Sequence, residues 1–446
     1  MTAPPEAVSR PPGRAPRFGS ALRGLTPVVR AEGRAASFFA GAMVVASLGF
    51  NFAGGNGMAY FVMVMGLCAI VWSLIRHRPI WRPSEQPSRL MFLVAWLLIA
   101  TAFALTSKSF EEFKYAGNFL MFFFFVAIST FLGRFAAPGN LERVTTLALA
   151  GSVLSVLVAI FESLVLGQPR AYGVGSDPIW SAQAALIAGF ISAAGWLTEK
   201  PLVPRILYLF GPILAIVSTF LTGSRGPLLA APVLALLVVL LAGARARLIF
   251  IGLVVIAALA AFGLHVFFLN SFDRLLSIDS VVKNILLTGT ATDPSTTARM
   301  IFWHIGFAAF LASPLVGYGW QNFRDAAYAY LPDQGRNFDA GFAGLAGNIH
   351  LHADILDLGV SAGMLGLIAY ALVIGAPIVD ALTSPRDSQY AGRRLAALTL
   401  SLGYFCCGLT YLMFGFEFHT TLYTVLAAIL LSFCRDAPPA RQGRTG

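Results

Sequence analysis

The chain has 446 residues, of which 57% are hydrophobic and only 12% are charged. Soluble domains carry about 25% charged residues and could not cover this much apolar surface. The composition therefore excludes a soluble enzyme and predicts an integral membrane protein. Unbroken apolar runs of about 20 residues match a membrane-spanning helix and differ from the alternating strands of a membrane β-barrel. The net charge of +10 is explained by basic cytoplasmic loops, so no nucleic-acid partner is expected.

In chain order, residues 1–35 form a basic tail rich in Pro, Ala and Gly, which we expect to be disordered and cytoplasmic. Twelve apolar segments follow, at 36–53, 57–75, 90–106, 115–133, 144–166, 180–197, 205–222, 227–243, 247–269, 359–380, 395–413 and 419–434. The sequence thus predicts an all-α protein with about 12 transmembrane helices, nine within 36–269 and three within 359–434. A short cytoplasmic tail, 435–446, ends the chain.

Residues 270–358 form the one long loop between the apolar segments. It contains an amphipathic stretch at 298–311 and aromatic and glycine turns at 317–323. Loops of this length are usually functional or disordered. The aromatic residues favour an ordered cap at the membrane interface, which we expect to form short helices.

Lys and Arg residues are concentrated in the short loops after the even-numbered segments. Those loops contain 13 of them, whereas the short loops after the odd-numbered segments contain 4. By the positive-inside rule, the more basic loops and both tails are cytoplasmic. The long loop then lies on the outer face.

Three arginines stand out among the few charges on the predicted outer face. Arg225 lies in a hairpin of about five residues, so its guanidinium is held near the membrane boundary. It either snorkels from a helix end or binds an anion such as phosphate through its planar fork. Arg170 and Arg299 allow the same choice, and a solvated side chain explains either one alone.

Two histidines, His350 and His352, lie just before the tenth apolar segment. A metal site with Asp354 or Asp357 is one interpretation. Residues two positions apart point to different sides of a helix, however, and no further histidine lies nearby, so we expect no metal. The pair is otherwise a general base, as suits an imidazole, or a polar loop without a role.

Two carboxylates lie beside or inside the predicted membrane segments. Glu417 is in the turn between the last two segments, and Glu162 lies within the fifth. Acidic residues at such positions are candidates for function. A polar helix end explains Glu417 equally well, and Glu162 could pair with an arginine of the bundle.

Four short motifs on the outer face carry a family resemblance. In chain order they are Arg170 with Gly173, Asp177 and Pro178; Thr222-Gly223-Ser224-Arg225-Gly226; Arg299 with Trp303 and then 314–323; and His352-Ala353-Asp354-Ile355-Leu356-Asp357 with Gly363-Met364-Leu365-Gly366. Over roughly residues 165–370 they resemble the O-antigen ligase and polymerase superfamily, with His352 at the position of its hallmark histidine. One departure is Ile179, where the family often has Asn.

The resemblance implies a GT-C-like membrane glycosyltransferase that needs no metal or other cofactor. Such enzymes move a glycan from undecaprenyl diphosphate to an acceptor hydroxyl, such as a lipid A–core sugar, on the periplasmic face of the bacterial inner membrane. Direct attack inverts the anomeric centre. Carried onto this sequence, the resemblance implies His352 as the base, Arg225 and Arg299 as diphosphate ligands assisted by Arg170, and His350, Asp354, Asp357 and Glu417 as auxiliary candidates.

Two alternatives stay open. A polymerase of the same superfamily joins repeat units instead of loading lipid A–core, and the sequence does not separate it from a ligase. A 12-span transporter or flippase is the alternative from another class. It would be expected to have broken helices and a site near the midplane, whereas the polar residues here cluster at one face.

Overall fold

The structure is a computed structural model that describes residues 32–50, 55–174, 177–199, 201–267, 294–331 and 350–436. Within these ranges the chain is helical and has no β-strand. The predicted tails lie outside the described residues except at 32–35 and 435–436, and so do 270–293 and 332–349 of the long loop.

Each of the twelve predicted apolar segments falls on a helix. The helices are α1 (Arg34–Gly49), α2 (Asn56–Ile75), α3 (Pro87–Thr106), α4 (Phe110–Gly133), α5 (Asn140–Val165), α6 (Pro178–Leu197), α7 (Arg205–Leu221), α8 (Arg225–Leu241), α9 (Ala244–Phe267), α10 (Pro294–Ala312), α11 (Phe323–Tyr328), α12 (Asp354–Thr383), α13 (Tyr390–Gly408) and α14 (Glu417–Phe433). Six described helices, α2 to α6 and α12, are long and apolar enough to cross a membrane, and α1, α7, α8 and α14 are shorter apolar helices. This is the pattern of a multi-pass membrane protein.

Burial divides the helices into a central and a peripheral set. The apolar stretch of α6 is 83% buried, whereas those of α2 and α3 are only 33% buried. On α2, Val64 and Leu67 are 52% and 55% exposed. Large exposed side chains of this kind suit a helix whose outer face meets lipid, since burial against water is not required there.

The central helix α6 packs closely on α7 through small residues. A Cβ added to Gly211 of α7 would lie 1.8 Å from Oγ of Ser192, and one added to Gly189 would lie 2.4 Å from Cβ of Ala215. Ser192 Oγ also donates to the carbonyl of Tyr208 (3.1 Å). Small residues allow helix backbones to approach and pack in a membrane, and here they fix α7 against the centre of the bundle.

The described part of the long loop is ordered and covers the start of α12. Phe302 and Ile305 of α10 and Phe323 of α11 form one buried apolar cluster with Leu351 and Leu356. The amphipathic stretch expected at 298–311 is part of α10, which begins at Pro294. The two helices therefore form a cover above residues 350–356.

Helix α12 begins at Asp354, five residues before the apolar segment expected at 359–380. Its first turn carries Asp354 and Asp357, which are both fully buried. Carboxylates in the first turn of a helix are favoured by the helix dipole. Because these aspartates are polar, hydropathy assigns residues 354–358 to the loop, and the predicted start of the helix is five residues too late.

Helix α12 is broken at Gly363, whose φ is 60° and ψ is −146°. The break is filled by residues 314–319, which lie between α10 and α11. Four backbone hydrogen bonds join the two segments: Tyr318 N to Val360 O (3.0 Å), Gly319 N to Ser361 O (2.8 Å), Met364 N to Pro314 O (2.7 Å) and Leu365 N to Leu315 O (3.4 Å). The backbone groups freed by the break are thus paired with protein, as a membrane interior requires.

Two glycines make this close approach possible. A Cβ on Gly317 would lie 2.4 Å from the carbonyl oxygen of Val360, and a Cβ on Gly363 would lie 2.4 Å from the carbonyl carbon of Leu315. Both residues also have positive φ, +68° and +60°, a region that side chains other than glycine rarely enter. We call residues 314–319 the strap.

Candidate functional site

The predicted site residues lie on turns at one end of the bundle. Arg170 follows α5, Arg225 begins α8, His350 and His352 precede α12, and Glu417 begins α14. Arg299 lies in α10 of the cover. The turns that carry Arg170, Arg225 and the two histidines are joined by contacts through the turn between α13 and α14.

Arg170 binds the hairpin between α7 and α8. Its Nε donates to the carbonyl of Thr222 (2.8 Å) and its Nη2 donates to Oγ of Ser224 (3.2 Å). Gly223, with φ of +63°, lets the hairpin turn beneath this guanidinium: its Cβ position is 3.6 Å from Arg170 Nε. Arg170 therefore holds the residue that precedes Arg225.

The turn carrying Arg170 is itself held by Glu162. One carboxylate oxygen of Glu162, Oε2, accepts from the backbone N–H groups of Tyr172 (2.7 Å) and Gly173 (2.8 Å). The backbone N–H of Ala171 donates to the carbonyl of Leu221 at the end of α7 (3.0 Å). The sequence alone allows an arginine of the bundle as the partner of Glu162. The hydrogen bonds found here go to the backbone instead, so this buried carboxylate shapes the turn.

Arg225 stands beside the turn between α13 and α14. The next residue, Gly226, packs against Thr410: a Cβ at Gly226 would lie 2.8 Å from Thr410 Oγ1. Tyr411 follows Thr410 and is 8% exposed. The hairpin of Arg225 is thereby placed next to the turn that carries Tyr411.

Tyr411 contacts both histidines. Its ring centroid is 4.9 Å from that of His350 and 5.3 Å from that of His352, and the two imidazoles are 4.3 Å apart. The backbone N–H of His352 donates to Nδ1 of His350 (3.1 Å). A neutral His350 therefore carries its proton on Nε2. The three rings form a compact group, which we call the histidine–tyrosine cluster.

The backbone at His352 is in the left-handed region, with φ of 57°. This conformation is uncommon for residues other than glycine and is often found at functional sites. Phe302 of the cover stacks on the imidazole with 5.5 Å between ring centroids. The Nδ1 atom of His352 is buried without a hydrogen-bond partner among the described residues.

Burial keeps both imidazoles neutral. Desolvation lowers the pKa of His350 to about 3, and the neighbouring His352 adds to the effect. Desolvation lowers the pKa of His352 to about 4, followed by the positive charge of Arg299. Arg299 acts on Tyr411 as well, although burial is the largest influence there and raises the pKa of that phenol. The charge of Arg299 therefore acts on both His352 and Tyr411.

The two aspartates of α12 bind backbone groups around this cluster. Oδ1 of Asp354 accepts from the N–H groups of Met413 (2.7 Å) and Phe414 (3.0 Å). Oδ1 of Asp357 accepts from the N–H of Leu351 (2.8 Å). Asp354 thus fixes the turn of Tyr411, and Asp357 fixes the segment between the two histidines.

Within the described ranges, no group of three or more His, Cys, Asp and Glu side chains is arranged to hold a metal ion. Glu417 is half-buried in the first turn of α14. It follows Phe416, whose ring centroid is 5.8 Å from that of His350. The remaining auxiliary candidate thus lies at the edge of the cluster.

Tyr411 is the site residue that sequence reasoning missed. It was assigned to the apolar segment 395–413, but α13 ends at Gly408. A Cβ on Gly408 would lie 2.3 Å from Oδ2 of Asp354, so the helix ends where it meets this carboxylate. A tyrosine two residues before the end of an apolar segment was the available signal.

A family model described as O-antigen ligase matches residues 210–371. This segment belongs to the O-antigen ligase superfamily. The matched O-antigen ligase domain contains Arg225, Arg299, His352 and the break at Gly363, whereas Arg170 and Tyr411 lie outside it. No curated protein matches the chain.

The domain agrees with the resemblance found in the motifs and with the apolar helices. At the level of the family, the matched domain and the apolar helices support an O-antigen ligase- or polymerase-like membrane glycosyltransferase.

Proposed function

We propose that this protein is an O-antigen ligase-like glycosyltransferase. It takes a glycan from undecaprenyl diphosphate and transfers it to a hydroxyl of lipid A–core, with inversion and without a metal. The observation that carries the proposal is the set of contacts from Arg170 through the Arg225 hairpin to Tyr411 and His352, where the charge of Arg299 also acts. Cationic groups and a neutral imidazole meet there at one end of the bundle.

The arginines stabilise the diphosphate leaving group. As the bond between the anomeric carbon and the diphosphate oxygen breaks, its electron pair stays on the diphosphate. Fixed guanidinium groups stabilise this developing charge because they need no reorganisation during the reaction. Arg225 and Arg299 bind the diphosphate, and Arg170 assists by holding the hairpin through Thr222 and Ser224.

His352 acts as the general base for the acceptor hydroxyl. The acceptor oxygen attacks the anomeric carbon as the diphosphate leaves, and the proton of the hydroxyl passes to a ring nitrogen of His352. A lowered pKa of about 4 supports this role, because the imidazole is then neutral at physiological pH. Tyr411 and Phe302 hold the ring from two sides. His350 is the competing candidate for the base.

The first test is a transfer assay with purified protein and an undecaprenyl-diphosphate-linked glycan. Arg225→Ala should lower the rate of undecaprenyl diphosphate release by about 10²–10³-fold, as loss of an oxyanion-stabilising donor does. Arg245→Ala is a matched control, because Arg245 is exposed and follows the far end of α8. An Arg225→Ala enzyme with the wild-type rate would exclude the diphosphate assignment.

The second test addresses the base. His352→Ala should lower the rate by about 10²–10⁴-fold, and His350→Ala should lower it less. The reverse order would assign the base to His350. If both single variants keep the full rate, neither histidine is the base.

A Wzy-type polymerase is the alternative within the same family, and the contacts above serve it equally well. Glycan profiling of a deletion strain separates the two. Full-length polymer on the lipid carrier together with bare lipid A–core identifies a ligase. Single repeat units without long polymer identify a polymerase.

A transporter or flippase was the alternative from another class, and one observation bears on it. Helix α12 is broken at Gly363, as transporter helices often are. The freed backbone groups are bonded to the strap, however, and so cannot coordinate a substrate. An enzyme converts the donor in detergent solution, whereas a transporter leaves it intact, so the transfer assay decides between them.

The same proposal places the protein in the bacterial inner membrane, with the histidine–tyrosine cluster facing the periplasm and both termini in the cytoplasm. The distribution of Lys and Arg supports this orientation. Single cysteines at the exposed residues Ser109 and Ser388, in a background without the native cysteines, test it with an impermeant thiol reagent in whole cells. Labelling at position 109 alone is the expected result.

A further inference from the structure

The end of the bundle away from the histidine–tyrosine cluster contains a cavity of about 640 Å³. Five arginines line it: Arg78, Arg82, Arg89, Arg134 and Arg435. The cavity adjoins residues 432–436 at the end of α14, whereas the cluster adjoins the beginning of that helix. At 1.5 Å per residue, α14 separates the two by about 25 Å. We call this cavity the arginine cavity.

The charges of the arginine cavity are only partly neutralised. Three carboxylates line it, Glu32, Glu85 and Asp436, against the five arginines. Glu85 pairs with Arg82 and Arg89 at 2.6 and 3.0 Å, and Asp380 behind the cavity pairs with Arg435 at 2.8 Å.

Arg78 and Arg134 form no ion pair within the part of the chain that the structure describes. Arg134 instead donates to Ser73 Oγ (3.1 Å) and to the carbonyl of Pro79. Burial lowers the pKa of Arg134, and the like charges of Arg78 and Arg82 add to this against the attraction of Glu32. These guanidinium groups therefore repel one another, and an anion between them would offset the repulsion.

An apolar groove of about 310 Å³ runs between α2 and α4 towards the same cavity. Its lining includes Leu67 and Ile70 of α2 and Phe124 and Ile128 of α4. Ile70 is three residues, or about 4.5 Å of helix, from Ser73, and Ser73 accepts the hydrogen bond of Arg134. The groove thus leads along both helices to the arginine cavity.

We propose that the arginine cavity and the α2–α4 groove together bind one anionic phospholipid of the bilayer. Its phosphate lies among Arg78, Arg82 and Arg134, and one acyl chain lies in the groove. Guanidinium groups suit phosphate because their planar forks match its oxygens. Basic pockets between transmembrane helices are recognised sites for anionic lipid headgroups. This inference does not depend on the proposed transfer reaction.

A lipid fits better than a free phosphate because charge and apolar surface are contiguous here. Free phosphate would use the arginines alone and would leave the groove unexplained. Between the end of α2 and Arg82, Ile75 is 70% exposed and Trp81 is 43% exposed. Such side chains suit the interfacial region of a membrane, where a phospholipid headgroup is anchored.

Native mass spectrometry of the full chain in detergent, titrated with dioleoylphosphatidylglycerol, tests the proposal. Arg78→Ala/Arg82→Ala should bind the first lipid about thirtyfold more weakly, from the usual attraction of two basic side chains to anionic lipid. Both side chains are exposed, so the fold should persist, and an unchanged melting temperature checks this. Arg76→Ala/Arg386→Ala is the matched control, because these exposed arginines do not line the cavity. The control should bind within twofold of wild type.

A groove variant tests the acyl-chain half of the site separately. Leu67→Trp, at a position 55% exposed, should fill the groove and weaken lipid binding several-fold with all arginines present. Dioleoylphosphatidylcholine and glycerol 3-phosphate should each bind at least tenfold more weakly than the anionic lipid. Equal losses in the cavity and control pairs would overturn the site. Glycerol 3-phosphate binding as tightly as the lipid, or an unaffected Leu67→Trp variant, would overturn the lipid assignment.

Discussion

The acid limb of the pH–rate profile should lie near pH 4. Burial and Arg299 lower the pKa of His352 to about 4, whereas an ordinary histidine has a pKa of about 6.5. At pH 5 the buried imidazole is then about 90% neutral, while a solvated one would be about 3% neutral. If neutral His352 accepts the proton, kcat/KM at pH 5 should remain close to its value at pH 7.

The assay is kcat/KM for undecaprenyl diphosphate release from pH 3.5 to 8, because this parameter reports the pKa of the free enzyme. Monodispersity of the protein is checked at each pH. Arg299→Gln removes a like charge, so the limb should move upward towards pH 6.5 even if the overall rate falls. Since only the position of the limb is compared, a loss of diphosphate binding does not obscure the result.

Three outcomes would refute this reasoning. A wild-type limb at about pH 6.5 would mean that the base is a solvated imidazole. A rate that shows no acid limb down to pH 3.5 would match His350, whose pKa is about 3. An unmoved limb in Arg299→Gln would show that Arg299 does not act on the base.

Three further predictions concern the parts that hold the site. Arg170→Lys keeps the charge but cannot reproduce the contacts to both Thr222 and Ser224. A hydrogen bond to a charged group contributes about 1.5–3 kcal/mol, so the transfer rate should fall by about tenfold or more. An initial rate equal to that of the wild type would contradict this. Gly317→Ala places a Cβ 2.4 Å from a carbonyl oxygen, at a residue with positive φ, and should lower the free energy of unfolding by about 1–3 kcal/mol, which is measured as a lower melting temperature. Gly41→Ala is the control, because a Cβ there has no atom within 4 Å, and its melting temperature should change little. The unfolded chain binds a proton at His350 as the pH falls through 6.5, whereas the folded chain does so only near pH 3, so stability should fall as the pH drops between these values. In His350→Gln the melting temperature should therefore decrease less between pH 7 and 4.5 than it does in the wild type. An equally steep decrease would argue against a buried neutral His350.

Hydropathy predicted the helices because a membrane-spanning helix consists of a long run of apolar residues. It placed a helix at each of the twelve apolar segments, with boundaries a few residues off. The boundaries failed where buried polar groups organise a helix end. Asp354 starts α12 early, and its contact with Gly408 ends α13 before Tyr411.

The site was predictable only in part, for a similar reason. Charge on an apolar background picked out Arg170, Arg225, Arg299 and His352, because such charges are few on that face. Tyr411 is amphipathic and occurs within an apolar run, so composition gave it no weight. The partner of Glu162 was also unpredictable, since a carboxylate that binds backbone N–H groups leaves no trace in its partners' side chains.

The arginine cavity shows a different limit. Arg78, Arg82, Arg89 and Arg134 were counted as signals of orientation, which uses only the sign of their charge. Their convergence depends on how the ends of α2, α3 and α4 pack together. A count of charges carries no information about that packing.

The strap also constrains how the chain is assembled. Strap residues 314–319 are translated before α12, yet they pair with backbone groups on both sides of Gly363. Until the two meet, the break in α12 exposes unpaired amide and carbonyl groups, each costing several kcal/mol in lipid. Insertion of α12 into the bilayer without the strap is therefore unfavourable. Its insertion and the docking of the strap should occur as one late step of biogenesis, so that exchanging the long loop between relatives would require exchanging the first half of α12 with it.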